Sequence, residues 1–246
     1  MAQTDALGNS NIVLNRDIKS PMSIQFVLAT DYTFRMMNRP FKLTGEAYYK
    51  QLSRLISYEY DNLKINYSGI NDSKGFIAGV DFKLFGQFVP GSDSWITFSL
   101  MKTQQTLNGK KVPLPSDQRY SFGLFFTDYF PKFPKLRFSL RGVFSDGLTM
   151  TAPRITRDRA WFRAPAYKRV DVGISYQLVG APTEGVRPYN FWRHFRSIII
   201  GLDCFNLFDM TNVSSYYWVT DVNNLQYAVP NYLTRRQLNV RLSIEI

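Results

Sequence analysis

Three groups of residues have the types and spacing to do chemistry. The first is a series of full charges at alternate positions of extended runs: Lys42, Glu46, Lys50, Asp81, Lys83, Arg137, Arg141, Asp171, Asp203, Arg241 and Glu245. Every second side chain of a strand shares a face, so these charges fall on the polar side of a sheet. There they could line a hydrated path, or they could form a ladder of cross-strand ion pairs with no ligand specificity. The second group is the basic stretch at 147–166, with Arg154, Arg157, Arg159 and Arg163 beside Trp161 and Phe162 and followed by Lys168 and Arg169. Guanidinium forks match anionic oxygens, so as an exposed loop this stretch suits an anionic ligand. The plainer alternative is a solvated loop. Aromatic residues among basic ones also occur in single-strand nucleic-acid platforms, but no recognisable RNA- or DNA-binding motif accompanies these, and nucleic acid is set aside as a partner. The third group, Tyr189, Phe191, Trp192, Arg193, His194, Phe195 and Arg196, mixes aromatic and basic residues in the manner of an interfacial anchor.

Hydrolytic or acyl-transfer chemistry would need a nucleophile with an activating base, and His194 is the one imidazole in the chain. It lies in the anchor-like stretch, away from the polar strand positions, so we expect no enzyme. The single Cys204 and single His exclude a disulfide framework, a thiolate zinc site and a multi-histidine metal centre. Cys204 reads as a small hydrophobe on an apolar strand face. With no Gly-rich phosphate loop, HExxH or paired-carboxylate motif either, no cofactor is expected.

These side chains need elements to position them, and the composition narrows the choice. The chain has 246 residues, 45% hydrophobic and 16% aromatic, with a net charge of +11 and a mean hydropathy of -0.22. No apolar run approaches the about 20 residues of a membrane-spanning helix, whereas a transmembrane barrel would leave this average unremarkable. The basic excess points to an anionic neighbour. The opening segment, MAQTDALGNSN, lacks the basic start and apolar stretch of a signal peptide, which fits a cytosolic protein, a mature form or a piece of an exported one.

Period-two alternation recurs from end to end, and it predicts nine strands. Clear runs are Phe76, Ala78, Val80 and Phe82 against Gly79, Asp81 and Lys83, and Leu238, Val240, Leu242 and Ile244 against Asn239, Arg241, Ser243 and Glu245. Tight Pro/Gly/Asn turns at 37–40, 90–93 and 131–135 alternate with longer connections at 61–75, 105–118, 147–166 and 223–235. Short turns on one side and long loops on the other are the arrangement of an outer-membrane barrel, with the long connection at 179–196 as the exception. Phe34, Phe41, Phe88, Trp95, Tyr129, Phe130 and Tyr176 would form an aromatic girdle at the short-turn end. An odd strand number places residues 1–21 in an extracellular loop and 22–246 in the barrel wall, as expected for the C-terminal part of a larger barrel.

The segment Phe205-Asn206-Leu207-Phe208-Asp209 resembles the "NLFD" stretch in the penultimate strand of TonB-dependent outer-membrane receptors. The likeness extends through Tyr167 to Gly173, Asn212 to Val219, Tyr227 to Thr234 and the alternating end from Gln237 to Ile246. Upstream, Asn15 to Pro21 and Met37 to Phe41 look like receptors of the Bacteroidetes type. The resemblance implies an all-β antiparallel transmembrane barrel segment in the cell outer membrane, supplying the last nine strands of a twenty-two-stranded barrel. The plug, the TonB box and the first thirteen strands would lie outside this sequence, and Ile246 stands where such barrels usually end in an aromatic. The implied function is part of an energised receptor for a siderophore, glycan or peptide, with the polar strand positions facing the lumen and Arg154, Arg157, Arg159, Trp161 and Arg163 on an extracellular loop. Implied partners are outer-membrane lipid and lipopolysaccharide, the remaining barrel and plug, and TonB through the plug. A passive porin-like channel and a soluble all-β binding module are the alternatives.

Overall fold

The computed structural model describes residues 15–61, 64–89, 92–130, 132–153, 155–180 and 195–246. Its first eight strands are β1 (Met22–Met36), β2 (Arg39–Leu55), β3 (Tyr58–Asp61), β4 (Lys64–Tyr67), β5 (Ser73–Val89), β6 (Ser92–Leu107), β7 (Lys110–Val112) and β8 (Tyr120–Phe130). The second eight are β9 (Phe133–Ser145), β10 (Thr149–Met150), β11 (Phe162–Arg163), β12 (Tyr167–Val179), β13 (Ser197–Phe205), β14 (Val213–Thr220), β15 (Gln226–Tyr232) and β16 (Gln237–Glu245).

Nine of these make one antiparallel meander in the order β1-β2-β5-β6-β8-β9-β12-β13-β16, with β7 added beside β6. The number and order are those expected from the alternation. Local chemistry explains the short reversals. Met37 and Asn38 both take left-handed backbone, with φ of 53° and 59°, the two-residue geometry whose twist matches a hairpin. The other connections run to the opposite end, where they form their own pairs: β3 with β4, β10 with β11, and β14 with β15.

Two expectations need correction. The last long connection does not begin at 223: the chain leaves the sheet after Phe205 and rejoins it at Gln237, because Asn206 turns to a φ of 53° and breaks the extended run. Nor is the aromatic girdle one-sided. Phe34, Phe41 and Phe88 do cluster on the apolar face, where Phe41 meets Phe88 edge-on at 5.0 Å and Phe34 at 5.8 Å. Trp95 and Tyr129 lie on the other face, since their register partners Phe125 and Arg137 share the parity of the charged positions. Tyr189 to His194 lie outside the described residues.

The buried groups concentrate at the two ends of the sheet. Phe41, Ser94 and Thr127 sit near the short turns, whereas Gln105, Asp117, Ser145, Asp146, Arg157 and Asn206 sit near the long connections. Between them the apolar face is bare: Leu28 is 78% exposed, Leu242 60% and Leu202 51%. A sheet-sized apolar surface of this kind needs an apolar cover in place of water. The sheet is open, with β1 and β16 each paired on one side. Among the described residues no helix is long and apolar enough to cross a membrane.

Candidate functional site

The strand register puts the charges on one side of the sheet. Glu46 faces Asp81, and Thr44 faces Lys83. Asp81 faces Ser99, which faces Ser121, which faces Ser145. Arg141 faces Asp171, Gly173 faces Asp203, Gly201 faces Arg241 and Ser197 faces Glu245. With Lys42, Lys50 and Arg137 at matching parity, every candidate strand charge lies on one face.

The ion pairs on that face are sparse. Lys42 reaches Asp31 of β1 at 2.8 Å, and Arg196 reaches Glu245 at 3.1 Å. Asp171 takes the Nε–H of Arg169, two residues along its own strand, at 2.7 Å, although Arg141 is directly opposite. Glu46 and Asp81, both acidic, face each other, as no charge ladder would arrange them. Several cations instead lie over aromatic rings: Lys83 over Phe85 at 5.8 Å, Arg137 over Tyr129 at 5.7 Å and Arg141 over Phe125 at 5.8 Å.

Where the charges are densest the face is hollow. A cavity of about 360 Å³ is bordered by Arg137, Arg141, Arg241, Asp171, Asp203 and Ser139. Glycine makes the hollow possible. A Cβ on Gly173 would lie 2.5 Å from Asp203 Oδ1 and 2.6 Å from Ser139 Oγ, and a Cβ on Gly201 would press on the Arg241 guanidinium at 3.3 Å. None of the three arginines makes an ion pair among the described residues, so their planar donor forks are free for an anionic ligand.

The basic loop residues divide. Arg154 lies outside the described residues. Arg159 and Trp161 are exposed. Arg163 turns inward, pairing with Asp117 and with Asp146 at 2.8 Å, and it donates to the carbonyls of Asp117 and Gly147 at 2.9 and 2.7 Å. Arg157 is 6% exposed, donates to Gln105 Oε1 at 2.9 Å and packs 5.1 Å from the Tyr58 ring. These two arginines fasten loops to one another. Of the loop set, Arg159 and Trp161 are the described side chains left exposed.

Several residues outside the three chemical groups of the sequence organise this end. Asp117 accepts from the Thr103 amide and hydroxyl, each at 2.8 Å, and so anchors the 108–119 connection to β6. Asn206 bridges its own turn: its side-chain amide donates to the Met210 carbonyl and its oxygen accepts the Met210 amide, both at 2.9 Å. Asn212 does the same across strands, exchanging two bonds with the Lys168 backbone at 2.9 and 2.8 Å. Asp209 receives the fork of Arg235 at 2.9 and 2.6 Å and the Arg236 amide at 2.9 Å, which sets the start of β16. That fork holds the Asp209 carboxyl far below the usual carboxylate range. Asn-x-x-Asp ahead of a charged Arg-Arg pair was the available signal, but the partners are some 26 residues apart and meet through the sheet.

Comparison with known proteins agrees with this geometry. The family model described as "TonB dependent receptor-like, beta-barrel" matches residues 2–207. Among solved structures, the chain is similar to the ferric-catecholate import receptor Fiu from E. coli K12 in its closed form, with a TM-score of 0.61 and 16% identity. The match covers 98% of this chain and 29% of that receptor, so the chain spans under a third of the receptor's length. No curated protein sequence matches the chain.

Proposed function

The chain belongs to the TonB-dependent receptor-like β-barrel family, and on that premise we propose that it forms part of the wall of an outer-membrane receptor for energised nutrient uptake. The observation that carries this reading is the division of the sheet into two faces. One is apolar and exposed, suited to lipid; the other holds every candidate strand charge, suited to a hydrated lumen. Residues 22–246 then form the wall, and the long connections, with residues 1–21, lie outside the cell. Asn15 and Lys19 support that placement, since they bond to Gly69 and Asn71 at the long-connection end. The likeness to the Bacteroidetes type rests on the segments at 15–21 and 37–41.

In this reading TonB acts through a plug domain within the barrel, and the wall contributes positioning and capture. The substrate is a scarce nutrient, with siderophores, glycans and peptides as the candidate classes. The free forks of Arg137, Arg141 and Arg241 favour an anionic one, the character of the ferric catecholate named for Fiu. The chain's part is that of a receptor and transporter, with no chemical step.

Single cysteines in a Cys204→Ala background test the reading in the native membrane. At Leu28, Phe82 and Leu202 they should react with a lipid-soluble maleimide and resist a charged thiosulfonate; at Asp81, Arg141 and Arg241 the preference should reverse. Equal reaction of the charged reagent at both sets would overturn the assignment of faces. Loss of uptake when the proton-motive force is collapsed separates this receptor from a passive channel.

A further inference from the structure

The connection at 206–236 hangs from the long-connection end of β12 at three places. The Asn212 side chain exchanges two bonds with the Lys168 backbone, the Leu207 amide donates to the Val170 carbonyl at 2.7 Å, and the Asn206 amide donates to Asp171 Oδ1 at 2.8 Å. Arg235 and Asp209 fasten the returning end to the same turn. Lys168 and Val170 lend backbone groups, whose direction the strand fixes. Asp171 lends a side chain, so among these three ties it is the one that can turn away in response to a nearby charge. It is 8% exposed and borders the hollow between Arg137, Arg141 and Arg241.

Two cations stand within reach of this carboxylate. Arg169 holds Oδ1 through its Nε–H at 2.7 Å, the same oxygen that accepts the Asn206 amide, and among the described residues the second oxygen takes no hydrogen bond. Arg141 is directly opposite in the register, with its guanidinium over the Phe125 ring at 5.8 Å. That separation is near the outer limit of about 6 Å for a cation over a ring, a weak hold beside a charge-assisted pair with a carboxylate. We propose that Arg141 and Asp171 form a relay by which an anion in the hollow secures the root of the 206–236 connection. When the hollow holds no anion, Arg141 leaves the ring for Asp171 and turns the carboxylate from the Asn206 amide. An anion gripped by Arg137, Arg141 and Arg241 keeps Arg141 in the hollow, and its charge repels Asp171 toward Arg169 and Asn206. Asp171 is thus a positioning residue, acting on the loop through Asn206. By reciprocity, a secured root tightens the hold on the anion. In the function proposed above, on which this inference rests, the hollow faces the lumen and the connection lies outside the cell. Occupancy within the barrel is then signalled to a capture loop.

Hydrogen exchange of the full receptor in outer-membrane vesicles tests the relay, read at the Asn206 amide with the Lys168 amide as internal reference. Arg141→Gln removes the competitor and should slow exchange at Asn206 about fivefold, the low end of the usual coupling between sites. Arg169→Gln leaves Asp171 to Arg141 and should speed the same exchange. A plain counter-ion role gives both variants one sign, since each removes a cation beside one carboxylate. Asp171→Asn should abolish the response to Arg141→Gln. Inorganic pyrophosphate at millimolar concentration, the probe anion, should slow exchange at Asn206 in the wild type and leave it unchanged in Arg141→Gln. Exchange that is unchanged or faster in Arg141→Gln overturns the proposal, as does a wild type indifferent to pyrophosphate or an equal effect in both proteins. If Arg141→Gln fails to reach the membrane, Phe125→Leu decides: it takes away the ring under Arg141 and leaves both charges, so exchange at Asn206 should rise, and no rise sinks the relay. Failure here would leave the thiol-labelling pattern untouched, whereas failure of the wall assignment would appear in that labelling first.

Discussion

Replacing Arg163 with Ala should detach the loops from the sheet without unfolding the sheet. Arg163 is 16% exposed in its side chain and stands between two carboxylates, Asp117 at 5% and Asp146 at 11%. Removing the cation leaves both acids with little water and no counter-charge, and breaking a buried pair in this way costs about 3–5 kcal/mol. Asp117 keeps its two hydrogen bonds from Thr103, which places the expected cost at the lower end, about 3 kcal/mol. At about 1.4 kcal/mol per factor of ten, local opening becomes roughly 100-fold more frequent. Hydrogen exchange of named amides is the assay. The Ala164 amide, bonded to the Leu148 carbonyl at 2.9 Å, and the Thr103 amide, bonded to Asp117, should lose about that much protection. Amides in the middle of β5 and β6 should not change. Arg159→Ala, which removes an exposed neighbour, is the control and should have no effect. The reasoning is refuted if Arg163→Ala changes protection at Ala164 by less than threefold, or if Arg159→Ala loosens the same amides equally.

Asn206→Ala should destabilise by about 2–3 kcal/mol, from two lost hydrogen bonds and a side chain forced to left-handed backbone, and Asn206→Gly by about 1 kcal/mol less; urea unfolding in vesicles reads both. Gly86→Val should cost about 2–3 kcal/mol in the same assay, because a Cβ there meets the buried Phe41 ring at 2.4 Å, and Phe41→Leu in the same chain should recover part of the loss. Asp209 supplies a pH test. Its folded-state carboxyl titrates below the ordinary range, so the clamp on Arg235 is present above the unfolded value near 4 and fades only as pH falls through the lower folded value. Exchange at the Arg236 amide should be flat from pH 7 to pH 5 after correction for intrinsic rates, and Asp209→Asn should raise it throughout.

Nine strands, their order and the side taken by every charge were legible in the sequence, because a strand's side chains alternate strictly and one buried or lipid-facing side forces the alternation into the residues. The turn at Met37 and Asn38 was legible for a related reason: its chemistry is local. What sequence pattern alone could not supply is where those charges end. Lys83 and Arg141 sit over aromatic rings and Asp171 turns to Arg169 in place of Arg141 opposite it, choices made by the nearest competing partner in space.

The loop arginines show the same limit from the other side. Four arginines in one stretch read as a single basic surface, yet Arg163 and Arg157 are consumed by Asp117, Asp146 and Gln105, which are 17 to 52 residues away in the chain. Sequence spacing carries no information about partners brought together by three different strand ends. The alternation of residues by itself determined a two-faced sheet; only the tertiary structure decided which charges cancel and which stay free around Gly173 and Gly201. The physical reason is range: side-chain parity follows from the geometry of one strand, whereas pairing and cavity shape depend on side-chain volumes contributed by several strands at once.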